Sequence, residues 1–187
     1  MPKLIKDNEV YAETCKLLVE YGFDGMTTKI LAERAAMDES SLFRKYESKT
    51  KLVCKAVNYI FSNVPLAKLQ WTGDLTNDLN LIVKNYYLTA QEFGPLLQVV
   101  IMEVNRNPQL QQSITAVKQN IAQILMIIEK YQKSGMLKKG NSMELIASFL
   151  GPLAMMTMNP LGIIRDKMNL PDYKKYVDRF LTGYGNQ

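Results

Sequence analysis

The chain has 187 residues, 47% of them hydrophobic and 22% charged, and carries a net charge of +5. That balance suits a globular protein with one large or two small cores, and its mild basicity permits nucleic acid as a partner without requiring it. Histidine is absent, which excludes Ser-His-Asp and Cys-His catalysis and imidazole metal sites.

No apolar run approaches the roughly 20 residues needed to cross a bilayer. The longest candidate, LIASFLGPLAMMTM, is broken by Gly151 and Pro152. The opening MPKLIKDNEV has lysines but no apolar stretch behind them, so no secretory signal is expected and the chain is expected to be cytoplasmic. Cys15 and Cys54 fall in apolar-periodic segments and are expected to be buried thiols.

Residues 5 to 21 place Val10, Tyr11, Cys15, Leu18 and Tyr21 at helical spacing, and Gly22 offers a left-handed stop. Thr27 is a good N-cap for a short helix to about Ala35, with Ile30, Leu31 and Ala32 able to face inward. Asp38 can cap a third short helix through Lys45 or Tyr46, burying Leu42 and Tyr46, and Ser48 can cap a fourth to about Val64. Pro65 and the irregular KLQWTGD then mark a break.

Beyond it the segments lengthen. Leu75, Leu79, Ile82, Val83, Tyr86, Ala90 and Phe93 form one helical stripe, and PLLQVVIMEV from Pro95 reads as a separate buried helix. Leu110, Ile114, Val117, Ile121, Leu125, Ile128 and Tyr131 form another stripe that ends before Gly135. GMLKKGNS, at 135 to 142, has the glycine spacing of a phosphate loop but Asn141 where the lysine must be, so it reads as a helix-helix connection. Two further helices are expected at about 142 to 158 and 171 to 182, the last with Pro171 in its first turn. The fold class is all-α, with about nine helices. Two domains are expected, 1–47 with the short helices and 48–187 with the longer ones, helix 48–64 connecting the two.

Two short helices joined by AAM have the proportions of a helix-turn-helix. Lys49 and Lys51 sit in the first turn of the fourth helix, where the macrodipole disfavours a cation unless an anion occupies the site. With Arg44, Lys45 and Lys29 they make three places where a cation lies beside a helix end. Asp38 suits an N-cap, whereas Glu39 either is a solvated helix-start charge or projects toward DNA to accept from a cytosine amino group.

The stretch LLVEYGFDGMTTKILAERAAMDESSLFRKYESKTKLV resembles the N-terminal signature of the TetR family of bacterial transcriptional regulators. The resemblance covers about 45 residues, and the remainder is similar in helical architecture alone. It implies that Thr27 and Thr28 are phosphate contacts or caps, that Lys29 is a groove-facing cation, and that Glu39, Ser40 and Ser41 read bases. Lys45 and Lys49 become phosphate clamps, with Phe43 and Arg44 in the same DNA-binding set. Three departures stand out: Ala36 replaces a common turn glycine, Phe43 a tyrosine, and Lys45 a frequent histidine. The resemblance also implies a homodimer formed by the last two helices, for which Phe149, Leu153, Met156, Tyr176 and Phe180 are the expected contacts.

These features give a sequence-specific regulator, expected to be a repressor, that binds a pseudo-palindromic operator in double-stranded DNA and is released by a small lipophilic inducer. Tyr86, Tyr87, Phe93, Met102, Met126, Phe149 and Met155 are candidate pocket residues, since thioethers beside aromatic rings make an adaptable lining. Glu103, a carboxylate within an apolar helix, is either exposed, paired with a lysine or the counter-charge for a cationic ligand. No cofactor, metal site or catalytic residue is expected. Two other readings stand beside this one: a DNA-binding protein without an inducer, and a helical enzyme using carboxylates, for which no paired constellation is visible.

Overall fold

The computed structural model describes residues 6–158 and 172–185. Among them are eight α-helices: α1 Asp7–Gly25, α2 Thr28–Arg34, α3 Glu39–Tyr46, α4 Lys49–Asn63, α5 Leu75–Arg106, α6 Thr115–Lys133, α7 Ser142–Met158 and α8 Tyr173–Tyr184. Short 3₁₀ segments, Pro65–Lys68 and Pro108–Ile114, stand before α5 and α6. No strand occurs among the described residues, only an isolated bridge between Leu137 and Gly185. The count is eight because the segments expected on either side of Pro95 form the single helix α5. Proline removes one N–H and crowds the carbonyl four residues back, but Pro95 and Gln91 are both exposed, so water can serve the carbonyl left over.

Packing divides the chain into two compact units. The first holds the chain up to Val64 together with Pro95–Gln119. Its core is built on α1 against α4, with Leu17, Leu18, Leu31, Leu42, Leu52, Ala56 and Val57 buried. Cys15 and Cys54 are free, buried thiols, and burial pushes the Cys15 thiol up to about 12. Asn58 on α4 donates to the carbonyl of Gln112 at 2.7 Å and accepts from Ala116 N–H at 2.9 Å, fastening the start of α6. Tyr21, expected on the inner face, is 47% exposed, because it lies at the end of α1 where the helix breaks at Gly22.

The second unit holds Pro65–Gly94 and the chain from Asn120 onward. Leu79, Ile82, Val83, Ile124, Ile127, Ile128, Tyr131, Phe149, Leu153 and Val177 are its buried centre. Ile121, placed on the buried stripe of α6 by its spacing, is instead 42% exposed. Buried Asp78 accepts from Thr72 N–H at 2.9 Å, Thr72 Oγ1 at 2.6 Å and Tyr131 Oη at 2.5 Å, which pins the loop before α5. Residues 135–141 connect α6 to α7, and buried Gln132 donates to the carbonyls of Lys138 and Gly140. These two carbonyls of the turn are therefore used within the chain. Asp172 caps α8, whose first residue is Tyr173, and Pro171 lies outside the described residues.

Several expected contacts of this unit are placed differently. Phe149, Leu153 and Phe180 are buried inside the chain, with the Phe149 and Phe180 rings 4.5 Å apart and Tyr176 Oη donating to the Phe149 carbonyl. They are core, not a free face. The exposed side of α7 is Met143, Ala147, Gly151 and Met155 at four-residue spacing, flanked by Ser148, Pro152 and Met156. Met126 and Met155 are exposed and so do not line an enclosed pocket in this chain, whereas Tyr86 is half-buried and Tyr87 is buried.

Candidate nucleic-acid interface

The helix-turn-helix is assembled by caps. Thr27 Oγ1 accepts from Ile30 N–H at 3.2 Å and starts α2, and Asp38 Oδ1 accepts from Ser41 N–H at 2.8 Å and starts α3. Ser40 Oγ also donates to Asp38, at 2.6 Å. Hydrogen bonds from Ser40 and then Ser41 hold the Asp38 carboxyl well below the usual carboxylate range. Ser48 Oγ accepts from Lys51 N–H at 3.1 Å and starts α4. Between α2 and α3 the chain turns at Ala36, which takes a left-handed φ of +46° without being glycine.

The side chains expected to face DNA fall into two groups. Lys29 and Arg44 are exposed, and no ion-pair partner for either occurs among the described residues. The rest have partners. Thr28 Oγ1 donates to Glu39 Oε1, so the first residue of α2 is tied to the first of α3. Lys45 pairs with Asp7 at 2.5 Å, and Tyr46 Oη donates to the same carboxylate at 2.7 Å. Lys45 first, then Tyr46, lowers the Asp7 carboxyl below its ordinary value. Lys51 pairs with Glu47, and Phe43 is half-buried on α3.

Lys49 differs from the expected solvated clamp. Its ammonium donates to the carbonyls of Phe23 at 2.8 Å and Met26 at 3.1 Å and lies 4.2 Å from the centre of the Phe23 ring. A lysine at the wrong end of α4 is thus at the right end of α1, where carbonyls without helical donors favour a cation.

Glu103 is corrected as well. It accepts from Phe23 N–H at 3.1 Å and from Asn107 Nδ2 at 3.0 Å, so its carboxylate serves the chain instead of a ligand. Its neighbour Met102 is 56% exposed. At Gly22 the backbone has φ +69° and ψ 178°, which breaks the helical ladder and strands the next N–H. Glu103 satisfies it. Sequence spacing gave no signal for this pairing, nor for Asp7 with Tyr46, because each partner lies on a remote helix.

Among the described residues no group of three or more His, Cys, Asp or Glu side chains could hold a metal ion, and no helix is long and apolar enough to cross a membrane. The arrangement offers two cations without an ion-pair partner among the described residues, hydroxyls and the Glu39 carboxylate on a pair of short helices, which is recognition chemistry.

Residues 10–55 match the family model described as bacterial regulatory proteins, tetR family. An uncharacterized HTH-type transcriptional regulator of Mycobacterium tuberculosis (strain ATCC 25618 / H37Rv) is 30% identical over 105 residues, 56% of this chain and 51% of its own length. The chain thus spans about half the length of the curated relatives it matches first. A Mesorhizobium loti MAFF303099 protein assigned to the TetR family superposes with a TM-score of 0.74 at 17% identity, covering 96% of both chains. The flavonoid-responsive regulator FrrA does so at 0.71 and 16%, covering 97% of this chain and 98% of its own. Residues 10–55 thus resemble the N-terminal segment of the tetR family of bacterial regulatory proteins, and the whole chain shares the fold of solved proteins assigned to that family.

Proposed function

We propose that the chain is a sequence-specific DNA-binding transcriptional regulator, a cytoplasmic homodimeric repressor that leaves a pseudo-palindromic operator when a small lipophilic ligand binds. The observation that carries the reading is the capped α2–α3 pair with Lys29 and Arg44 exposed and unpaired among the described residues, within a segment that matches a family of regulatory proteins. Cations not committed to carboxylates are what a phosphate backbone requires. Thr27, Asp38 and Lys49 build the reading head, whereas Lys29, Arg44 and Ser41 meet DNA and Lys45 is held by Asp7. In functional terms residues 1–47 bind DNA and 48–187 sense and dimerise, with α4 between them.

The exposed side of α7 supports the dimer. Met143, Ala147, Gly151 and Met155 make an uncharged stripe on a helix whose other side is already buried in its own unit. Small residues flanked by thioethers suit close packing of a second copy across a two-fold axis. For the inducer, the half-buried Tyr86 and Phe93 and the buried Tyr87 remain the candidates from the expected set. A solved protein of the same fold is flavonoid-responsive, so planar aromatic compounds belong in the first screen.

Selection of the full chain against randomised double-stranded DNA, followed by sequencing, tests the reading. An inverted repeat with half-sites about 34 Å apart, or a multiple of it, is expected. Recovery of no enriched sequence overturns it. Release of the selected duplex by a lipophilic compound separates an inducible regulator from a protein that only binds DNA.

A further inference from the structure

The polar side chains at the start of α2 and α3 are nearly all committed. Thr27 and Asp38 are caps, and the Ser40 proton goes to Asp38. Thr28 and Glu39 are different, because neither caps a helix and their bond spans the turn between the two helices. Thr28 uses Glu39 Oε1, and among the described residues nothing donates to Oε2. Among the described residues no lysine or arginine pairs with the carboxylate, although Lys29, Arg44 and Lys45 belong to the same two helices.

We propose that Thr28 and Glu39 form one base-reading unit, in which Thr28 is the positioning residue and Glu39 accepts the N4 amino hydrogen of a cytosine in the major groove. The inference rests on the DNA-binding reading above. A carboxylate only accepts, so at base edges in the major groove it can meet only the amino groups of cytosine and adenine. Adenine presents its N7 acceptor beside the amino group and would repel the second oxygen, which leaves cytosine. A free glutamate at this place could swing toward phosphate or solvent and would lose rotamer freedom on binding. The Thr28 hydroxyl removes most of that freedom beforehand. Lys29 and Arg44 supply sequence-independent attraction, and the braced carboxylate supplies a penalty against duplexes that offer it no donor.

The test is sequence selection from randomised double-stranded DNA by full-length wild type, Thr28→Val, Glu39→Ala and Glu39→Gln, with melting temperatures recorded alongside. Wild type is expected to select one cytosine per half-site that Glu39→Ala no longer prefers. Glu39→Gln is expected to move that preference to adenine, which an amide can bind through N6 and N7. Thr28→Val keeps the shape but lacks the hydroxyl, and is expected to retain cytosine with discrimination weakened about fivefold to tenfold. If wild type selects a motif and all three variants select the same one with equal discrimination, the base-reading unit is wrong and the DNA-binding reading stands. A fall in melting temperature and in affinity for every sequence alike would make the bond a structural brace only. If wild type enriches no motif, both readings fall.

Discussion

The backbone N–H of Phe23 donates to Glu103 Oε1 at 3.1 Å, joining the break in α1 to a helix 80 residues further along the chain. The same peptide segment is held from the other side, since the Phe23 carbonyl accepts from Lys49 at 2.8 Å. One carboxylate and one ammonium therefore settle both polar groups of a residue that the helical ladder has released. Removing the acceptor in Glu103→Ala is expected to cost about 1 kcal/mol, near the lower end for a stranded donor because Glu103 is only half-buried. Glu103→Gln keeps an acceptor and is expected to stay close to wild type. Gly22→Ala adds a Cβ 2.8 Å from Glu103 Oε1 at a φ of +69°, and is expected to cost about 1 to 3 kcal/mol. In denaturant melts, Glu103→Ala should cost less in the Gly22→Ala background, where it relieves the clash. Strict additivity would refute the coupling.

Lys49 and Arg44 are expected to separate structure from electrostatics. Arg44→Ala should lower the slope of log affinity against log salt by about one unit with the melting temperature unchanged, as loss of one phosphate contact does. Lys49→Met should lower the melting temperature and reduce affinity for all duplexes without changing the slope. A reduced salt slope for Lys49→Met would show that its third hydrogen meets a phosphate after all.

Local chemistry made much of this unit legible in the sequence. Thr27, Asp38 and Ser48 are short acceptors ahead of helical patterns, and each caps the helix expected of it. Lys49 stood out because it opposes the dipole of its own helix, but its partners, the carbonyls of Phe23 and Met26, come from tertiary packing that spacing does not encode. Gly94-Pro95 reads as a helix boundary, yet α5 continues because exposed positions tolerate the lost hydrogen bond. In α7 both sides are apolar, so periodicity cannot say which side the chain buries. Phe149 and Leu153 face inward, and the Gly151 side is left open.

Ala36 holds a left-handed φ of +46° at an exposed turn position, so a Cβ is carried there with no packing to compensate for it. Ala36→Gly is expected to stabilise the chain by about 0.5 kcal/mol, the relief of the left-handed conformation being partly offset by a more flexible unfolded state. Chemical denaturation reads the difference, and an unchanged or lower midpoint would contradict the assigned turn.

The two sides of α7 predict opposite outcomes. Met155→Glu, at a residue 67% exposed, should leave a folded chain that sediments as a monomer and no longer binds an inverted repeat. Leu153→Glu, at a residue 1% exposed, buries an unpaired charge and should fail to fold. A folded Met155→Glu dimer would move the interface to another face.

Asp7 ties α1 to α3 through Lys45 and Tyr46, and under the proposed function it occupies a cation that a phosphate backbone would otherwise attract. Its carboxyl is shifted below the ordinary value of 3.8, chiefly by Lys45, so the folded state favours the ionised form. The stabilisation is therefore fully present above the unfolded value and is lost as pH falls through the lower folded one. Both partners are partly exposed, which limits the contribution to at most about 1 kcal/mol. Asp7→Asn should be slightly less stable than wild type at neutral pH, and the two should converge below about pH 3.8. At neutral pH the same change releases Lys45, so DNA affinity at low salt is expected to rise and the salt slope to steepen by about one unit. If Asp7→Asn binds DNA with the wild-type slope, Lys45 reaches no phosphate and serves only to hold α3 to α1.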